Sequence, residues 1–306
     1  LDADWEYKFD TAIENDEQIR HTVKARIAQV ATEGHDAATR LQLLLQAFSV
    51  SVLVTEGSKI KVDDADKLFL DLCALSPDSL VETVAPQFAG LLPSIFSNKL
   101  TTRQSAAHAF GLLASHPKNQ SERPGEVLEA IQQLLSKTSS WQEAVGAAAN
   151  QVHGAVSALG FFYSRYALRD GNDFQSSAPF GEYISNAAEI LLKSTDKILQ
   201  ESSYNALGDL CLFQAVKPAV FEKLGGFKAI IDKTADIAKS GSESAALAVG
   251  QMATILEEST TETTSDEKSL LEHTSERLHQ LHDIRQAETH FSVGEALSYA
   301  AVGWRS

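Results

Sequence analysis

Apolar residues recur along most of this chain at steps of three and four positions, which is the spacing of one buried helix face. The clearest stretch runs from Gln151 to Arg169, and its apolar stripe consists of Val152, Ala155, Val156, Leu159, Phe162 and Tyr163. Gly160 lies inside that stripe. Because a glycine in mid-helix costs about 1 kcal/mol relative to alanine, we expect another helix to approach the backbone closely there, namely the helix that forms a pair with this one.

The same triplet, an alanine, an apolar residue and a small residue, returns through the chain. Its third positions are separated by 49, 48, 42 and 48 residues, and they are Gly111, Gly160, Gly208, Gly250 and Ser298. Six positions before each of them stands a second small residue: Ser105, Gly154, Ser202, Ser244 and Ser292. The period is close to the roughly 40 to 47 residues of HEAT and armadillo repeats, which are built from helices. The sequence therefore predicts an all-α fold, an α-solenoid in which antiparallel helix pairs stack into a HEAT- or armadillo-type superhelix.

The pattern divides the chain into two regions. Residues 1–76 are predicted to hold entering helices and a candidate degenerate repeat, and residues 77–306 to hold about five repeats. The approximate repeat bounds are 77–116, 125–168, 179–215, 217–256 and 266–304. Pro86 and Pro93 fall inside the first helix of the first repeat, so we expect a kink or a break in that helix.

Two segments between the predicted helices are polar. The stretch from His116 to Glu126 carries two prolines and is predicted to be a loop. Residues 257–268 are acidic and rich in threonine and serine, and we expect them to form a flexible, solvated insert.

The charge balance limits the partners that the chain can bind. A net charge of -15 excludes a nucleic-acid groove, which needs a basic surface, and favours basic protein surfaces. The two cysteines, Cys73 and Cys211, lie in apolar helical patterns and fit a reducing compartment. No run of eighteen apolar residues and no signal-peptide pattern is present, so we expect no membrane insertion. Since the chain begins with leucine, we expect it to be a piece of a longer polypeptide.

Candidate chemistry is sparse. No phosphate-binding loop, dinucleotide fingerprint, nucleophile elbow or paired-cysteine motif occurs. The best metal candidates are four histidines near the C-terminal end, but their spacing does not form a closed site; they are His273, His279, His282 and His290. We therefore predict no metal and no cofactor.

Two histidines and one arginine near the repeat positions leave alternatives open. His108 and His153 are candidate general bases, although packing is the favoured role because no nucleophile can be assigned to them. We therefore predict no catalytic residue. Arg165 and Tyr166 lie past the buried face of the Gly160 helix, where they would contact a partner or, for Arg165, cap the helix.

Three blocks of sequence carry a family resemblance. In order, they are Val152-His153-Gly154-Ala155 with Ala158-Leu159-Gly160-Phe161 and Arg165-Tyr166; Asn205-Ala206-Leu207-Gly208-Asp209; and Phe291-Ser292-Val293-Gly294-Glu295-Ala296 with Ala300-Ala301-Val302-Gly303. Their order and approximate spacing resemble the large HEAT-repeat adapter and scaffold proteins that associate with the 26S proteasome. The resemblance covers about residues 140–306.

The resemblance implies a non-enzymatic scaffold in cytoplasm and nucleus that touches the proteasome core particle and the regulatory ATPase ring. It also implies roles in stabilising or checking the assembled particle and in linking it to other cell components. It assigns no contact residues, because no compact motif marks them. The alternative is a nuclear transport receptor, which is also an acidic helical solenoid and binds basic cargo.

Overall fold

The computed structural model describes residues 78–170, 173–256, 265–282, 292–294 and 296. Every regular element in these ranges is a helix, which confirms the predicted all-α class. The predicted N-terminal region, residues 1–76, and the repeat position Ser298 lie outside the described residues.

The α-helices of the described ranges are numbered in chain order. They are α1 (Asp78–Val81), α2 (Leu92–Ile95), α3 (Leu100–Ala114), α4 (Pro117–Glu122), α5 (Pro124–Thr138), α6 (Ala147–Asp170), α7 (Ala178–Lys193), α8 (Lys197–Leu212), α9 (Phe227–Lys239), α10 (Glu243–Ala253) and α11 (Ser265–His282). Short 3-10 helices lie between them at Ala85–Leu91, Trp141–Glu143, Asp173–Ser176, Pro218–Leu224 and Thr254–Leu256.

The helices pack in two layers. We call the first member of each helix pair a first helix and the second member a second helix. The first helices α5, α7, α9 and α11 contact one another in that order, and so do the second helices α3, α6, α8 and α10. Between the layers α5 packs on α6, α7 on α8 and α9 on α10. Only residues 194–196 separate α7 from α8, so the chain reverses direction between the members of that pair. Apolar residues of both layers are buried in one continuous core.

The small residues of the triplets lie where neighbouring second helices meet. A methyl group added at Gly160 would lie 2.7 Å from Cβ of Ala206, and the atoms nearest to Gly250 belong to Ala296. Gly208 likewise faces Ala248 and the end of the Gln251 side chain. The glycine that ends one triplet therefore contacts the alanine that begins the next.

This arrangement corrects one detail of the sequence-based interpretation. Close approach was expected within a helix pair, but it occurs between the second helices of consecutive pairs. The hydroxyl of Tyr183, from the first helix of the following pair, also reaches this point, 3.0 Å from the methyl that an alanine at 160 would carry. The same hydroxyl donates a hydrogen bond to the carbonyl of Val156, at 3.0 Å. Gly111 differs from the other glycines, because it faces Phe161.

The two prolines of the first predicted repeat break its first helix into pieces, as expected. Pro86 lies in the first turn of the 3-10 helix Ala85–Leu91, and Pro93 lies in the first turn of α2. A proline at these positions removes only an N–H that has no intrahelical partner.

The predicted loop from His116 to Glu126 is instead largely helical. Pro117 begins α4, and the Nδ1 atom of His116 caps that helix by accepting from the backbone N–H of Lys118 at 3.2 Å. Asn119 is fully buried and donates to the carbonyls of Ala85 and Leu113, each at 2.8 Å. The sequence pattern did not predict this helix because polar side chains, with the buried amide of Asn119 among them, hold it in place of an apolar stripe.

Two further boundaries differ from the sequence-based prediction. The sequence pattern predicts a long helix over about residues 141–168, but Trp141 lies in a separate 3-10 helix, and Gly146 at φ 56° precedes α6. Residues 265–268 of the predicted insert form the first turn of α11. Residues 257–264 lie outside the described ranges, and the repeat bounds themselves stay a prediction.

Replacing Gly160 tests the close approach of α6 and α8. We expect Gly160→Ala to lower the free energy of unfolding by about 1–3 kcal/mol, because the new methyl overlaps Ala206 and Tyr183. Urea denaturation monitored by circular dichroism measures the change.

Gly181 provides the matched control. It is the fourth residue of α7, and a methyl added there meets no atom within 4 Å. Gly181→Ala should therefore stabilise the chain by about 0.5–1 kcal/mol through helix propensity alone. Equal effects of the two substitutions would contradict the close approach.

Candidate functional site

A cavity of about 250 Å³ crosses three consecutive second helices, α3, α6 and α8. Its lining residues are Gln104, Ser105, His108, His153, Ser157, Phe161, Glu201, Ser202, Asn205, Ala206 and Asp209. No first helix contributes to the lining. The cavity therefore opens on the side of the second-helix layer that faces away from the first helices.

The lining follows the register of the triplets. On α6 and α8, the positions seven before, three before and one after the triplet glycine all line the cavity. On α3 only the first two of these positions do. The residues are Gln104, His108, His153, Ser157, Phe161, Glu201, Asn205 and Asp209. They form a stripe of four-residue steps, one turn of helix apart, beside the small-residue stripe. The two histidines are candidates on sequence alone, whereas the stripe as a whole is recognised only in the structure. Aligning the triplets and reading the positions beside the glycines would have found it.

His108 is held between an aromatic ring and an arginine. Its ring stacks on Phe161 with centroids 4.6 Å apart and an interplanar angle of 13°. Its Nε2 lies 2.7 Å from Nη2 of Arg165. Because a guanidinium has no acceptor, Nε2 must be the unprotonated nitrogen and the proton must sit on Nδ1. Burial, together with the charge of Arg165, lowers the pKa of His108 to about 4.

His153 has the same kind of partner. Its side chain is buried, and its Nδ1 accepts a hydrogen bond from Nε of Arg103 at 3.3 Å. Arg103 is only 2 % exposed, and its Nη1 donates to the carbonyls of Ser97 and Asn98 at 2.8 and 3.0 Å. Burial and then the charge of Arg103 lower the pKa of His153 to about 4. In both histidines an arginine occupies the lone pair that a general base would use.

The acidic side of the cavity belongs to α8. Burial raises the pKa of Asp209 to about 6, although the charge of Arg165 and a 3.3 Å hydrogen bond from Gln251 act in the opposite direction. One turn and two turns earlier on the same helix lie Asn205 and Glu201, and both are partly exposed to the cavity. The cavity thus combines two neutral histidines with two carboxyl groups.

Arg165 does not cap a helix, because α6 continues to Asp170. Its guanidinium lies over the rings of Phe161 and Phe213, with its central carbon 5.2 and 5.9 Å from their centroids. Its Nη1 atom is buried and has no hydrogen-bond partner among the described residues. The guanidinium is therefore buried behind the cavity wall, where it contacts the lining residues His108 and Phe161. Its neighbour Tyr166 stacks on Phe162 in the aromatic core.

The predicted histidine group near the C-terminal end is divided in the structure. His273 bonds Asp232 at 2.8 Å in an arrangement that also includes Arg277. His279 is exposed on α11, and His290 lies outside the described residues. Among the residues that the structure describes, no three side chains of metal-binding type come together. Cys211 is a buried free thiol, and Cys73 lies outside the described ranges.

The described helices include none that is long and apolar enough to cross a membrane. No protein-family model and no curated protein matches the chain. Two crystal structures of engineered proteins from the Northeast Structural Genomics Consortium are similar over nearly the whole length. The first is 14% identical in sequence with a TM-score of 0.35, and the alignment covers 99% of this chain and 98% of the engineered chain. The second is 15% identical in sequence with a TM-score of 0.28, and the alignment covers 98% of this chain and 99% of the engineered chain.

Arg103 offers a test of the network behind the cavity. We expect Arg103→Met to lower the free energy of unfolding by about 2–4 kcal/mol, because it leaves the carbonyls of Ser97 and Asn98 without their donor. Arg123→Met is the control, since the Arg123–Glu126 pair is exposed and should contribute less than about 0.5 kcal/mol. A loss at Arg103 no larger than at Arg123 would contradict the structural role.

The lowered histidine pKa values predict how stability depends on pH. An unfolded histidine titrates near about pH 6.5, whereas the folded pKa of His108 is about 4. Between these values the unfolded chain binds more protons, so the free energy of unfolding falls as the solution is acidified. Asp209, with its raised pKa, has the opposite effect and partly offsets this loss.

Replacing His108 by glutamine isolates this contribution. His108→Gln keeps a side-chain acceptor for Arg165 but removes the titrating group. We expect a smaller loss of stability on acidification than in the parent chain, measured by urea denaturation across the window. The exposed His279→Gln is the control and should keep the parental profile. An unchanged profile in His108→Gln would show that His108 is not held neutral by the fold.

Proposed function

We propose that this chain is an α-solenoid segment of HEAT or armadillo type that acts as a non-enzymatic protein-binding scaffold. The observation that carries the proposal is the repeated contact between the glycine of one triplet and the alanine of the next, at Gly160, Gly208 and Gly250. In stacked helical repeats each unit packs only on its neighbours, and the resulting array presents an extended surface. The two layers of helices support this interpretation.

The state of the histidines supports a binding role over catalysis. The acceptor nitrogens of His108 and His153 are each occupied by an arginine, and their pKa values are lowered to about 4. A general base works best with a pKa near the operating pH and with its lone pair directed at the substrate. The side chains of the cavity therefore suit recognition of another molecule.

Among scaffolds we propose an adapter of the 26S proteasome, present in cytoplasm and nucleus, which contacts subunits of the core and regulatory particles. Such an adapter would stabilise or check the assembled particle and link it to other cell components. Support comes from the sequence blocks around Gly154, Gly208 and Gly294, whose order and spacing resemble that family. A second candidate, a nuclear transport receptor, is favoured by the net charge of -15, which suits basic cargo.

Affinity capture from cell lysate distinguishes these proposals. With the 306-residue chain as bait, the adapter proposal predicts enrichment of core and regulatory proteasome subunits identified by mass spectrometry. The transport-receptor alternative predicts the small GTPase Ran together with basic cargo.

An unrelated all-helical bait of the same length and net charge controls for non-specific capture of basic proteins. Proteasome subunits captured equally by both baits, or by neither, would contradict the adapter proposal. Ran and basic cargo enriched by the chain alone would replace it with the alternative.

A further inference from the structure

The cavity across α3, α6 and α8 has the size of a single side chain. Its volume of about 250 Å³ is below the range of roughly 300 to 1,000 Å³ that holds drug-sized ligands. Nine of its eleven lining residues carry polar side chains, and all eleven belong to the second helices. A protruding side chain of another protein therefore fits this space better than a cofactor does.

The charge of the cavity is negative. Glu201 and Asp209 place two carboxyl groups on the same side of α8, eight residues apart, which corresponds to about 12 Å along a helix axis. The two histidines add no positive charge at neutral pH, since their pKa values are about 4. Two arginines lie behind the lining histidines: Arg165 is held by His108 and Phe161, and Arg103 is held by His153.

Two side-chain amides in the cavity are available to hydrogen-bond a ligand. The side-chain amides of Gln104 and Asn205 line the space and make no hydrogen bond to any residue within the described ranges. Asn205 lies between the two carboxyl groups in the register of α8. An amide oxygen flanked by carboxylates gives a row of acceptors, which matches the donors of an ammonium or guanidinium group.

We propose that this cavity binds a lysine or arginine side chain of a partner protein. The proposal rests on the proposed binding function and names the chemistry of the partner. An acidic side chain would lie beside two carboxyl groups and meet no cation in the lining, because Arg165 and Arg103 are buried behind the two histidines. Charge therefore selects the basic partner, in agreement with the net charge of -15.

Short peptides with one variable residue test the proposal directly. The probes are acetyl-Gly-Gly-X-Gly-Gly-amide, where X is arginine, lysine, citrulline or glutamate, and citrulline is the neutral counterpart of arginine. They are titrated at low salt into the 306-residue chain carrying ¹⁵N-labelled asparagine, and the side-chain amide signal of Asn205 is followed by NMR. The arginine or lysine peptide should shift this signal saturably, at least about tenfold more tightly than citrulline.

Two matched substitutions locate the binding. Glu201→Gln should weaken binding of the basic peptide by about tenfold, because it removes a carboxylate from the cavity. Glu243→Gln occupies the same register position on α10, removes the same charge and does not line the cavity, so binding should be unchanged. Equal losses in both variants would show a general charge effect and overturn the proposal.

The pH dependence gives a further readout. Asp209 faces Arg165 of α6, Gln251 of α10 and Tyr183 of α7, and it lies near Cys211 on its own helix. His108 lines the same cavity and is bonded to Arg165. Because its pKa is about 6, protonation in acid removes a negative charge from the cavity. The affinity for the basic peptide should therefore fall as the pH is lowered through that value.

The outcomes separate this proposal from the proposed function. Binding of the glutamate peptide, or equal binding of citrulline and arginine, would overturn the basic side-chain site whatever the capture experiment shows. Selective binding of a basic peptide without capture of proteasome subunits would leave the site standing and remove the adapter assignment. Proteasome capture that Glu201→Gln does not weaken, with no peptide binding, would keep the adapter and place its contacts elsewhere.

Discussion

The structure depends on how closely neighbouring second helices can approach. Between α6 and α8 the distance is set by Gly160 and Ala206, and between α8 and α10 by Gly208 and Ala248. Side chains of this size leave no room for movement along the contact, so they define both the separation and the register of the helices. The first-helix layer then packs behind this contact, as the hydroxyl of Tyr183 beside Gly160 illustrates.

The cavity is a consequence of the same register. Since the small residues hold three second helices side by side, the positions next to them come together on the outer side of that layer. Two buried arginines then fix the chemistry of the lining. Arg103 and Arg165 each direct an N–H at a histidine, which leaves both rings neutral and sets which nitrogen carries the proton. The negative charge of the cavity comes from α8 alone.

The sequence predicted the helices well and their partners less well. Periodicity predicted helices over about residues 101–115, 126–136, 180–193 and 196–214. These agree with α3, α5, α7 and α8 to within two residues at each end, because each helix has a continuous apolar face. It predicted that Gly160 needs a close neighbour but assigned that neighbour to the wrong helix, since a pattern within one helix shows which face is buried and not what lies opposite. The helix at Pro117–Glu122 was missed because buried Asn119 stabilises it in place of an apolar stripe. Only part of the cavity could be predicted from the sequence. The arginine partners of His108 and His153 lie 57 and 50 residues away along the chain, and no local pattern joins them.

The stripe of lining positions also separates the packing of the helices from the chemistry of the cavity. The residues that fix the helices, such as Gly208, alternate in the chain with those that line the cavity, such as Asp209. Of the alanines that face the triplet glycines, Ala206 alone also borders the cavity. Mutations can therefore accumulate at the more exposed lining positions, such as Gln104, Glu201 and Asn205, and change the chemistry of the cavity while the packing between the second helices is left untouched. An architecture of this kind can vary its cavity over evolutionary time without passing through unfolded intermediates.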